Sequence, residues 1–470
     1  MNYKNRYKKL HFLEHKIIRF LSKFKKAAPR FELGIKDLQS SALPLGHAAD
    51  KKYEDLINDP ISKETHSLLI ICNGHGEDVI ALELIKRFLI HKKFKTIEVL
   101  PLVGDGYIFD SVKDRKFKKI GFLKVLPSGG FSNQNLFRFI ADLKAGMLND
   151  VFKNWQISRS KAKDKYKILA IGDFLPLFFA WSSRCEFGFI GTPKSDHTWS
   201  SGPGSSLSDI YHKIKGSEWD PWEIFMMKNI RCKTLIMRDK LTTKNLNKKK
   251  INARFFGNPM MDFIDNETIY IFEDQKYKKI LILIGSRYPE ALNNFESFLS
   301  CLDQLNKDEK YLILLPLTLN GNLNQIEKLL INHKFYKNNN KTFSLGQESI
   351  WMKNKTSLLL GFGTFSSWVK FADVGLTNAG TATEQLIGLG IPSLSLPGKG
   401  PQFTLSFAKR QQRLLGGGVE VCHTKKKLVE KLYILLENRK ARANQVREGM
   451  IRMGDRGASE KIINYINFKL

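Results

Sequence analysis

Leu376–Thr404 reads LTNAGTATEQLIGLGIPSLSLPGKGPQFT. A short apolar run ends, two small polar residues follow, and a Gly-Thr-Ala-Thr turn enters a helical pattern with Glu384 in its first turn. Strand, glycine turn and helix make one half of a parallel α/β unit, and in such sheets ligands gather at the carboxyl ends of the strands. Gly380 and Thr381 then stand at a helix N-terminus, whose free N–H groups and dipole favour an anion, typically phosphate. Thr381 and Thr383, with Ala382 between them, add hydroxyl donors. A carboxylate one turn in, Glu384, can accept two hydrogen bonds from a ribose diol while phosphate occupies the helix end. The loop Pro397–Phe403, PGKGPQF, forms a neighbouring wall, with Gln402 as a ligand-facing amide.

Working outward, the same alternation runs through most of the chain, twice. SLLIICN (Ser67–Asn73), EVLPLV, KILAIGD (Lys167–Asp173), FGFIG and TLIMRD are short apolar strand runs separated by helical patterns. The series restarts at KKILILIGSR (Lys278–Arg287) and continues through YLILLPL, TSLLLGF, VGLTN, IPSLSLP and GGGVEV. Continuous apolar strands alternating with helices predict parallel sheets covered on both faces. The expected fold is α/β: two Rossmann-like doubly wound domains facing a central cleft. The pattern breaks at NPM and IDNET, between Asn258 and Glu267. The predicted division is a basic extension and linker over 1–65, a first Rossmann-like domain over 66–260 and a second over 261–440. Closing helices over 441–470 are candidates for packing back on the first domain.

Two further loops fall at strand ends. NGHGED, Asn73–Asp78, places His75, Glu77 and Asp78 between and after two glycines at the start of a helix. Capping and the helix dipole account for one acid there. They do not account for a histidine and two acids together, so all three are candidate proton acceptors. IGSR, Ile284–Arg287, offers backbone N–H groups of Gly285 and Ser286 beside Arg287, whose guanidinium pairs bidentately with phosphate oxygens. His197, in KSDHTW, is a weaker cleft candidate. GFGTFSS lacks the third glycine of a dinucleotide fingerprint, and neither a P-loop nor HExxH occurs. No metal site and no cofactor are expected.

The chain has 470 residues and a formal net charge of +30, which draws it toward polyanions. Met1–Arg30 repeats Leu10, Leu13, Ile17, Phe20, Leu21 and Phe24 at helical spacing among lysines and arginines, the pattern of a basic amphipathic helix lying on an anionic membrane. Basic residues elsewhere are dispersed and no nucleic-acid-binding module is recognisable, so nucleic acid is not an expected partner. Five widely spaced cysteines without a CxxC read as reduced thiols in the cytoplasm. No apolar run reaches the roughly 18 residues of a membrane span. The expected location is cytoplasmic, peripheral on the inner face of a membrane.

These motifs together resemble a family. NGHGED after the first strand, VGDG after the second, FFGNPMMD at the domain junction, LIGSRYPE and NAGTATEQLIGLGIP are similar to the lipid-A-disaccharide-synthase-related proteins of cyanobacteria, which have glycosyltransferase B architecture. The resemblance spans roughly Ser67–Glu420. It implies an inverting transfer of sugar from a UDP-GlcNAc-like donor to a lipid-linked acceptor. Arg287 and the Gly380–Thr383 turn would hold the diphosphate and Glu384 the ribose. Asp78 lines up with the family's acidic residue, but this loop is one residue shorter and carries His75, so either is the expected base. A sugar-nucleotide epimerase of the same fold and a non-catalytic, membrane-associated nucleotide-binding protein are the alternatives.

Overall fold

The apolar runs fold into two sheets, the first parallel and the second mixed, one in each lobe of the unit Glu64–Leu470. The computed structural model describes residues 66–74, 76–121, 147–200, 207–264, 276–318, 322–339, 343, 345–398 and 403–470. The basic helix expected over Met1–Arg30, the linker to residue 65, His75 and Gln402 lie outside the described residues.

The first sheet contains β1 (Leu68–Cys72), β2 (Ile97–Pro101), β3 (Phe117–Lys119), β4 (Lys167–Gly172), β5 (Phe187–Gly191) and β6 (Cys232–Met237). Their order is β3-β2-β1-β4-β5-β6, all parallel. This is the doubly wound order in which the sheet reverses direction beside the first strand, opening a crevice at the strand ends. All five residues of LLIIC in β1 are buried, as they must be in a strand covered on both faces. The helix Gly76–His91 packs Ile80, Ala81, Leu84, Ile85 and Phe88 inward.

The second sheet contains β7 (Lys278–Leu283), β8 (Tyr311–Leu317), β9 (Tyr336–Lys337), β10 (Ser349–Lys353), β11 (Thr356–Phe362), β12 (Val374–Thr377), β13 (Ser393–Ser395) and β14 (Val419–Val421). Six strands run parallel in the order β14-β13-β12-β7-β8-β11, and β10 and β9 extend the edge antiparallel. The sequence reading passed from a helix directly to TSLLLGF and did not include β9 or β10. The missing signal is a two-residue turn at Asn354, which holds φ 50°, a left-handed value that asparagine tolerates better than most residues.

The junction motif FFGNPMMD ties the lobes together. Asn258 accepts a hydrogen bond from Met260 N at 3.1 Å, and Pro259 opens a single 3₁₀ turn. Asp262 then accepts from Gly457 N and Ser459 N, both at 2.6 Å, and so caps the last helix, Ala458–Lys469. That helix crosses to the first lobe, where Glu460 pairs with Arg87 at 2.8 Å and Tyr465 packs on Phe256. The preceding helix, Arg439–Met453, stays with the second lobe, against Thr381–Gly388. All five cysteines are free thiols. Among the described residues no helix is long and apolar enough to cross a membrane.

Candidate active site

In the second lobe, three strand-end loops are drawn into one cradle by Asn378, which directly follows β12. Its side-chain Nδ2 donates to Asn294 Oδ1 and to Leu396 O, both at 2.9 Å, and its Oδ1 accepts from Leu396 N at 3.2 Å. Asn294 in turn donates to Ile284 O at 3.0 Å. The loops after β7, β12 and β13 are thereby fixed to one another. Both asparagines are buried, so every unmade bond there would leave a polar atom unsatisfied. Gly285, at φ 89°, lies against Asn378 O, and a Cβ there would sit 3.1 Å from it. The structure therefore brings IGSR beside the Gly380 turn, two segments almost a hundred residues apart.

Ser286 is exposed and Arg287 is half-buried at the mouth of this cradle. Burial pushes the Arg287 guanidinium down to about 10, with Glu290 opposing the shift. Glu290 Oε1 accepts from Phe403 N at 2.7 Å, so Phe403, the last residue of PGKGPQF, is anchored beside the same glutamate. Gly380 is exposed, while Thr381 and Ala382 are partly buried in the first turn of the helix. Thr383 serves the fold rather than the cradle surface. It is fully buried and its hydroxyl donates to Ala379 O at 2.8 Å, because the third residue of this turn faces the sheet. Gln411 braces the turn from behind with bonds to Ala379 O and Gly380 O at 3.0 and 3.2 Å.

The first lobe presents its acids opposite. Gly74 turns the chain at φ 94°, where a Cβ would meet Val103 O at 2.7 Å. The helix then begins at Gly76, and Glu77 is held by Thr192, whose hydroxyl donates to Glu77 Oε1 at 3.0 Å. Burial pushes the Glu77 carboxyl up to about 7; the Thr192 bond opposes the rise, and the charges of Asp173 and Asp78 add to it. Asp173, at the end of β4, accepts from Asn73 at 2.9 Å and is itself raised, chiefly by burial. Asp78 is on the buried face of the helix, close to the Cys72 thiol.

Two contacts close the cleft between these halves. A Cβ on Gly76 would lie 2.8 Å from Thr381 Oγ1, so the N-termini of the two helices face each other across the gap. Beside them Arg238 Nη2 donates to Glu384 Oε2 at 2.6 Å, and Nη1 donates to Thr192 O at 2.9 Å. Both side chains of this ion pair are buried, 6% and 11% exposed. Glu384, expected to be open to a ribose, is thus engaged by an arginine of the other lobe. Arg238, Thr192, Asp173 and Asn378 were not among the candidate residues read from the sequence. The one available signal was the RD of TLIMRD. Asp239 caps the following helix by accepting from Thr242 N at 2.8 Å, and the arginine before it lies at the cleft end of β6.

No family model matches the chain, and no curated protein matches it. Solved structures do. The MnaA protein of S. aureus, solved with UDP, is 14% identical over 86% of this chain and 96% of its own, with a TM-score of 0.52. The UDP-GlcNAc 2-epimerase of Neisseria meningitidis, bound to UDP-GlcNAc, is 15% identical over 85% of this chain and 99% of its own, at 0.50. The glycotransferase of kitacinnamycin is 13% identical over 86% of this chain and all of its own, at 0.52. At such identities the likeness defines the fold. The chain has the two-domain glycosyltransferase B architecture that glycosyltransferases and UDP-GlcNAc 2-epimerases share.

Proposed function

We propose that the protein is an inverting glycosyltransferase that moves a sugar from a UDP-GlcNAc-like donor to a lipid-linked acceptor, without a metal or a cofactor of its own. The observation that carries this reading is the opposition across one cleft of a braced helix N-terminus with Arg287 and a near-neutral carboxyl, Glu77. The donor's diphosphate is placed on Gly285, Ser286, Arg287 and the Gly380–Thr381 helix end, and its ribose on Glu384. Glu77 is placed as the base that takes the acceptor hydroxyl's proton, since a general base works best with a pKa near the operating pH. Asp78, buried against Cys72, then positions the loop. Closing the two lobes over the donor keeps water from hydrolysing it.

A thermal-shift panel of nucleosides, nucleoside diphosphates and nucleotide sugars tests the donor assignment. The UDP and UDP-GlcNAc in two of the similar structures make uridine nucleotides the first probes. At about 100 times its Kd a ligand should add roughly 2.7 kcal/mol of stability. A flat panel removes the transferase reading.

An aromatic face on the first lobe supports the lipid-linked acceptor. Starting beside Asp173 at the cleft, Phe174, Phe178, Trp181 and Phe225 form a ladder of rings with centroids 6.0, 6.2 and 6.2 Å apart. Phe174 and Phe225 are exposed, as are Trp222 and Ile230 nearby. Arg231 donates to Trp181 O at 2.8 Å, putting a cation at the rim. Apolar rings edged by positive charge suit an anionic bilayer surface. Phe225→Glu with Trp222→Glu should lower cosedimentation with phosphatidylglycerol vesicles about tenfold or more and leave UDP affinity unchanged. Wild-type binding by this double variant would count against the face.

One observation favours the epimerase reading. Glu77 and Asp173 are two raised carboxyls near one another, and such a pair could remove and return a proton. Isomerised sugar formed from UDP-GlcNAc with no acceptor present would select it.

A further inference from the structure

The bridge between Arg238 and Glu384 makes a demand on any ligand that uses Glu384. Arg238 follows β6 in the first lobe, and Glu384 stands in the first turn of the Thr381 helix in the second. A pentose diol that bonds both Glu384 oxygens competes with Arg238 for Oε2, the oxygen to which Nη2 donates. The arginine cannot retreat to water, because it is 6% exposed and stays anchored to Thr192 O at 2.9 Å. Nor can it shed its charge: a guanidinium is not deprotonated in proteins, and Glu384, Asp239 and Glu77 together hold Arg238 above its ordinary value against burial. Asp239 is a weaker partner than Glu384, since its two oxygens already accept from Thr242 N and Thr242 Oγ1, both at 2.8 Å. A displaced Arg238 loses its bond to Glu384 while it stays buried, an unfavourable state.

We propose that Arg238 determines specificity for the diphosphate. A nucleoside that takes both Glu384 oxygens strands the arginine, whereas a nucleoside diphosphate brings its own anion to the Gly380–Thr381 helix end, one turn away, and pairs with it again. The guanidinium has five N–H donors in a planar fork, matched to phosphate oxygens, and two of them are used in the bonds named here. Arg238 therefore turns from the bridge to the diphosphate when the donor binds. It joins the groups that stabilise the leaving nucleotide, and it does so from the acceptor side of the cleft. The same movement releases the Glu384 contact between the lobes only when a complete donor replaces it. This rests on the assignment of Glu384 to the ribose.

Calorimetry of the full chain with UDP, uridine and inorganic pyrophosphate tests it. Wild type should prefer UDP over uridine strongly. Arg238→Met should narrow that preference by about tenfold or more, by weakening UDP while uridine binds as well as before or better. Glu384→Gln leaves Arg238 without its carboxylate and should bind pyrophosphate several-fold more tightly than wild type. It provides the readout if Arg238→Met does not fold. An unchanged UDP-to-uridine ratio in Arg238→Met, or unchanged pyrophosphate affinity in Glu384→Gln, overturns the proposal. Absence of UDP binding to wild type overturns the ribose assignment itself, and the role of Arg238 with it.

Discussion

Glu77→Gln is expected to lower kcat by about 10²–10⁴-fold while UDP-sugar affinity stays within about twofold. Gln keeps the size of the side chain and an oxygen for the Thr192 hydroxyl, and removes only the group that can accept a proton. In wild type, activity should rise with pH through about 7, the value to which burial lifts this carboxyl, and level off above it. Stability should move the other way. The folded carboxyl is raised from 4.5 to about 7, so its favourable contribution is complete below 4.5 and is lost as pH rises past 7. Glu77→Gln, which never ionises, should therefore melt at a higher temperature than wild type at pH 8, with the difference disappearing toward pH 4.5. Full turnover in this variant would exclude Glu77 as the base. If His75→Ala alone then abolishes turnover, the proton goes to His75.

Glu384→Ala should have the largest effect on the folded state. It removes the carboxylate from a bridge whose two side chains are 6% and 11% exposed and leaves Arg238 charged and buried. Losing one partner of a buried pair typically costs about 3–5 kcal/mol. The expected result is a fall in Tm of several degrees, with nucleoside diphosphate affinity down by about tenfold or more because the ribose contact goes too. The double variant Glu384→Ala with Arg238→Met removes the stranded charge and should recover much of the lost Tm but not the affinity. A single variant that melts like wild type would mean that the bridge does not persist in solution. One that melts early but binds UDP normally would leave the bridge standing and remove Glu384 from the donor site.

Both expectations turn on residues of unequal visibility in the chain. Glu384 was legible because local chemistry is enough to place it: a strand, a glycine turn and a helix set a carboxylate one turn beyond an anion-binding end. IGSR and NGHGED were legible on the same grounds, as short polar loops interrupting apolar runs at strand ends. The parallel strands of both sheets were legible because a strand buried on both faces has to be apolar along its length, as LLIIC in β1 is. The antiparallel β9 and β10 were not, since β9 is a two-residue exposed edge strand and the turn at Asn354 separates β10 from β11 without a glycine or proline.

What the amino-acid order alone determined is local: two series of parallel α/β units and the loops that end their strands. The tertiary structure decided what those loops face. It set Gly76 against Thr381, turned the Thr383 hydroxyl inward and gave Glu384 an arginine 146 positions away. It also lifted Glu77 toward neutrality through burial beside Thr192 and Asp173. The reason is that helix and strand propensities act over a few residues, whereas desolvation and ion pairing depend on which distant segments the packing brings within a few ångströms of one another.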